Sequence, residues 1–126
     1  MKRIVQTEDA PPAIGPYSQA VQIGNFLFVS GQIPLHPQTS TVVGPSIQEQ
    51  TEQVLKNLES ILKSVEFGLQ DVIKCTIFLK DLGDFEAVNA IYSRYFSISP
   101  PARACVEVSR LPKDVLIEIE AIAYRS

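Results

Sequence analysis

The chain has no tryptophan, one histidine, one methionine and two cysteines among 126 residues. With a lone His36 and with Cys75 and Cys105 far apart, no zinc-type ligand set can be assembled from neighbouring positions. The six glycines are isolated from one another, so no glycine-rich loop is available to cradle a phosphate or dinucleotide. These absences remove most cofactor-dependent chemistry. No apolar run approaches the ~18 residues that a membrane-spanning helix needs. Eleven Lys and Arg stand against fourteen Asp and Glu, a net charge of −3, and only Lys2 and Arg3 are adjacent. That balance argues against non-specific nucleic-acid binding. Lys2 and Arg3 are not followed by an apolar signal-peptide segment, and acidic residues come too early for a transit peptide, so a cytoplasmic protein is expected. In that setting Cys75 and Cys105 read as reduced, buried thiols.

What is present is an ordinary globular composition, 45% apolar and 20% charged, with length for one domain over residues 1–126. Arg3–Gln6 reads as a short strand. The segment Glu8–Tyr17 holds three prolines and one glycine, which forbid regular structure. Such a fixed loop either aims Tyr17 at a site or uses it to plug the edge of the core. Gly24-Asn25 is a two-residue hairpin signal between Ser18–Ile23 and Phe26–Ser30. Gly31 follows that strand, where its N–H either meets a bound anion beside Ser30 or belongs to a plain turn. Ser46-Ile-Gln-Glu49 is a capping box opening a helix of about twenty residues, with an apolar stripe from Ile47 through Leu55, Leu58 and Leu62 to Val65 and with Gly68 as its stop. Asp71–Leu79 is a strand. Asp84 caps a second helix to Tyr95 that buries Phe85, Val88, Ile91, Tyr92, Tyr95 and Phe96. Asn89 shares their face, where it either caps a loop carbonyl or orients a pocket.

The C-terminal block, Pro101–Ala123, reads as two strands joined by the turn-like Arg110–Asp114. Arg103, Cys105 and Glu107 share one face of the first strand; Glu118 and Glu120 share one face of the second. Charges on strands otherwise apolar must be paired, exposed or used. With few crossovers and tight hairpins, the element order fits an α+β sandwich, a mixed sheet with both helices on one face. The face assigned to Cys105 and Glu118 is expected to meet another subunit.

Four segments in this order and spacing resemble the RidA/YjgF (L-PSP, Rid) family. They are Ala13–Gln19, Val29–Pro34, Lys80–Phe85 with Val88-Asn89, and Pro101–Val108 with Ile117–Ala123. The resemblance spans nearly the whole chain. It implies a chorismate-mutase-like fold, a homotrimer with clefts between protomers, and cofactor-independent hydrolysis of 2-imino acids derived from 2-aminoacrylate or 2-aminocrotonate to 2-keto acids and ammonia. It also implies site roles. Arg103 would bind the substrate carboxylate, Glu118 would act as acid and base, and Tyr17, Ser30, Gly31, Asn89 and Cys105 would line the cleft. Ala104 stands where relatives often have Ser or Thr, and Pro100 where they often have a larger residue, which bears on substrate preference. No histidine is available near Cys105 to make a thiolate.

Two other functions compete. A ribonuclease or translation inhibitor would want a basic stripe and a His or metal constellation, which are missing. A small-carboxylate-binding, holdase or regulatory module could use Arg103 equally well, but would not need Glu118 close to the anion.

Overall fold

The computed structural model describes all 126 residues. Six strands form one sheet: β1 (Arg3–Val5), β2 (Ala20–Ile23), β3 (Phe26–Gln32), β4 (Val72–Leu79), β5 (Ala102–Glu107) and β6 (Ile117–Tyr124). Two helices, α1 (Ile47–Ser64) and α2 (Phe85–Tyr95), complete the α+β fold. No helix is long and apolar enough to cross a membrane.

The strand order is β1-β2-β3-β6-β4-β5. The first three strands form a meander that contains the expected hairpin, with Gly24 at φ +55° in the tight turn that joins β2 to β3, a conformation glycine adopts without steric cost. β6 then inserts between β3 and β4, antiparallel to both. β4 and β5 run parallel, and a parallel neighbour needs a crossover, which the short 3-10 turn Leu82–Asp84 and α2 supply. The two strands of the C-terminal block are therefore not a hairpin. β5 and β6 are strands, but β4 lies between them and neither pairs with the other.

α1 begins at Ser46, whose hydroxyl accepts from the Glu49 N–H at 3.1 Å while the Glu49 carboxylate accepts from the Ser46 N–H at 3.4 Å. Such a cap is worth about 1 kcal/mol. Val54, Leu55, Leu58, Ile61 and Leu62 are fully buried on one stripe, each contributing roughly 1.5–3 kcal/mol. They pack on Leu27, Val29, Ile77, Ile117, Ile119 and Ala121, so the core lies between the helices and one sheet face. The helix stops before Gly68. Val65 caps it, Glu66 turns the chain at φ +65°, and Gly68 opens a separate 3-10 turn.

The opposite sheet face has no covering layer within the chain. Ile4, Ile23, Phe26, Phe28, Val106 and Tyr124 are all exposed there, with the Phe26 and Tyr124 rings 5.0 Å apart. A contiguous apolar surface of this kind marks an interaction site more often than a free surface.

Candidate active site

Register decides which predicted residues can meet. Arg103 pairs with Cys75, and Cys75 with Ala121, a core-facing residue. Glu118 pairs with Phe78, which pairs with Val106 on the open face. Arg103 and Cys105 therefore belong to the helix-covered side of the sheet and Glu118 to the other. Cys105 and Glu118 do not share a face, because the intervening strand carries each face straight across.

On the helix side, α2 builds a seat for Arg103. Phe85, Asn89 and Tyr92 stand at i, i+4 and i+7, on one helix face. The Asn89 side-chain oxygen accepts from Arg103 Nη1 at 2.7 Å. The guanidinium carbon lies 5.4 Å from the Phe85 ring centroid and 4.9 Å from that of Tyr92. Asn89 thus holds a side chain rather than a loop carbonyl. Arg103 makes no ion pair within its chain. A guanidinium has five N–H donors, and the hydrogen bond to Asn89 uses one.

Cys105 lies two residues along the same strand face, half-buried. Burial raises its thiol pKa, outweighing the opposite pull of nearby Arg103. Cys75, fully buried, is pushed up to about 11 by the same cause. Both stay protonated and unpaired near neutrality, so neither is an activated nucleophile.

On the open side, a cleft of about 470 Å³ gathers Ile14, Tyr17, Ser30, Gly31, Glu118 and Glu120. Gly31 lies inside β3, next to a register shift between Val29 and Gln32, rather than beyond the strand. A Cβ at Gly31 would collide with the Glu118 carboxylate. Close approach to a side chain, not a turn, is why a glycine stands there. Burial and then the Glu120 charge raise the Glu118 pKa, so it holds its proton more tightly than an ordinary glutamate.

Tyr17 is half exposed at the cleft wall and is not a core plug. Its hydroxyl accepts from the Ile14 N–H at 3.3 Å. The Ser30 hydroxyl donates to the Ser18 carbonyl, tying the proline loop to β3. Glu107 accepts from the Leu82 N–H at 2.9 Å. Glu120 has no cation partner within the chain. No cluster of three or more His, Cys, Asp or Glu side chains suited to a metal occurs. A larger cleft, about 590 Å³, runs between β1 and the proline loop; Tyr17 shares its wall, but neither Arg103 nor Glu118 reaches it.

Some supporting residues had no assigned role in the sequence reading. Buried Gln19 organises the proline loop, its amide donating to the Ala10 and Pro11 carbonyls at 3.3 and 2.8 Å and its oxygen accepting from the Thr7 N–H at 2.7 Å. A glutamine closing a run of prolines was the available signal. Phe85 and Tyr92 read as core residues, yet their rings face a guanidinium.

Known proteins share this sequence pattern and fold. The family described as Endoribonuclease L-PSP matches residues 7–125. A RutC family protein of Pyrococcus horikoshii is 58% identical over 99% of each chain. Among solved structures, a putative endoribonuclease of Thermotoga maritima superposes with a TM-score of 0.98 at 54% identity, covering 100% of this chain and 99% of that one. E. coli TdcF with bound serine superposes with a TM-score of 0.94 at 45% identity, covering 98% of this chain and 99% of that one.

Proposed function

Because the chain belongs to the RidA/YjgF (L-PSP) family, we propose that it hydrolyses 2-imino acids to 2-keto acids and ammonia, at sites that two copies of the chain complete together. The observation that carries this reading is Arg103, a half-buried guanidinium held in place by Asn89 and two rings, with no carboxylate of its own chain to neutralise it. A seated cation without a counter-ion is what a substrate carboxylate needs, since two parallel N–H donors grip both oxygens and fix the molecular plane. The serine bound to the E. coli relative also carries a carboxylate.

Arg103 and Glu118 cannot serve one small substrate from opposite faces of one sheet. In the proposed arrangement, a homotrimer, the exposed apolar face packs against neighbouring protomers, and the Arg103 edge of one copy approaches the Glu118 cleft of the next. Substrate 2-imino acids, formed from 2-aminoacrylate or 2-aminocrotonate, present a carboxylate beside an electrophilic C=N carbon. Water adds to that carbon, the C=N π pair moves to nitrogen, and Glu118 takes the proton that water gives up. Glu118 then returns that proton to nitrogen, giving a carbinolamine. It next takes the hydroxyl proton and passes it to the amine as the C–N bond breaks, so that ammonia leaves and the hydroxyl oxygen becomes the keto group. The raised proton affinity of Glu118 suits it both to take and to give protons. Tyr17, Ser30 and Gly31 wall the Glu118 half of the cleft, and Cys105 lines the Arg103 half.

A carboxylate sensor would use Arg103 alone, and Glu118 separates the two functions. A ribonuclease reading would rest on His36, which lies exposed in a loop with its ring nitrogen accepting from the Gln38 N–H. The test is ammonia release while a PLP enzyme generates 2-aminoacrylate in the same tube. Wild-type protein accelerates release, and Arg103→Ala and Glu118→Ala each abolish the acceleration. A wild type without effect overturns the proposal.

A further inference from the structure

Two aromatic rings, of Phe85 and Tyr92, form the seat of Arg103. Tyr92 is almost fully buried, and its hydroxyl has no partner beyond the weakly bonding Cys75 thiol beside it. A sulfur neighbour returns little for a buried hydroxyl, a cost that phenylalanine at 92 would not incur. What Tyr92 does offer is its ring, 4.9 Å from the Arg103 guanidinium carbon and braced by the Phe96 ring at 4.6 Å. Phe85 offers a second ring at 5.4 Å but sits at the surface, 36% exposed.

We infer that Tyr92 and Phe85 are positioning residues, an aromatic clamp that presents Arg103 to a carboxylate. The inference rests on the reading of Arg103 as the carboxylate anchor. A ring attracts a guanidinium through its quadrupole and leaves the N–H edge free, whereas a carboxylate partner would occupy that edge. Asn89 takes only one N–H at Nη1. The clamp thus restrains a long, rotamer-rich side chain before the ligand arrives, so less disorder is lost on binding. It also keeps the cation free of any competing anion from its own chain.

The experiment measures pyruvate binding by calorimetry, with the Arg103 Nε–Hε resonance followed by NMR. Wild type should bind pyruvate and show a ring-current-shifted Hε signal, and Arg103→Ala should lose binding. Tyr92→Leu should bind about tenfold more weakly, with the Hε shift diminished, while Tyr92→Phe keeps both near wild type. Phe85→Leu, at an exposed position, should weaken binding in the same direction and supplies the measurement if Tyr92→Leu does not fold. A folded Leu variant with wild-type affinity overturns the clamp while Arg103 keeps its role. A Phe variant as weak as the Leu variant also overturns it, since the hydroxyl would then be responsible. Pyruvate affinity retained in Arg103→Ala, or absent from wild type, removes the anchor and the clamp together.

Discussion

Arg103 and Glu118, separated by one strand in the same sheet, face opposite sides of it. A site that uses both must join two copies of the chain, and that can be measured without seeing the assembly. Arg103→Ala and Glu118→Ala are each expected to be inactive alone. Unfolded together in equal amounts and refolded, they should regain about a quarter of wild-type activity, the share of interfaces in which an intact Arg103 meets an intact Glu118. A refolded mixture as inactive as its components would mean that the two residues do not share a site.

The raised proton affinity of Glu118 has a signed consequence for stability. The folded state holds this proton more tightly than the unfolded state does. The stability this contributes is complete below the ordinary glutamate pKa and is lost as pH rises through the folded value. Glu118→Gln should therefore melt at nearly the wild-type temperature in acid and above it near neutrality. Melting curves across that range check this, and a difference that stays flat or turns negative with rising pH contradicts the assignment.

Gly31→Ala tests the closeness of β3 to the Glu118 carboxylate. The added Cβ must displace the carboxylate, and displacement of a reacting group by about 1 Å can cost roughly a hundredfold in rate. We expect a folded protein whose kcat falls far more than its KM rises. Wild-type kcat in this variant would show that the carboxylate position is not critical.

Gln19→Ala removes the bonds that fold the proline loop around one amide. Stranding the Thr7, Ala10 and Pro11 backbone groups should cost about 1–3 kcal/mol where they stay buried. Chemical denaturation measures this, and a loss confined to a few tenths of a kcal/mol would show that water replaces the glutamine.

Elements whose cause is local were legible in the sequence. Ser46 and Glu49 announce α1 because a capping box is a four-residue device, and Gly24-Asn25 announces the hairpin for the same reason. Which strands would pair was not legible. The alternation in Ile117–Tyr124 marks two faces correctly, but only the burial of distant β3 and β4 selects them, rather than β5, as its partners. Among the site residues, Arg103 and Glu118 stood out as charges on apolar strands. Phe85 and Tyr92 did not, because a ring on the apolar stripe of a helix has the same periodicity whether it meets a leucine or a guanidinium.

The insertion of β6 between β3 and β4 also sets the order in which the fold can close. The central strand of the sheet is the last in the chain, and until it arrives β3 and β4 each expose an unpaired edge. Most of its contacts join residues far apart in sequence, which slows folding relative to local pairing. During synthesis the meander and α1 can form early, but the sheet stays split in two until β6 is released. Glu118 comes with that strand, so the Glu118 wall of the cleft and the completed core form in one step.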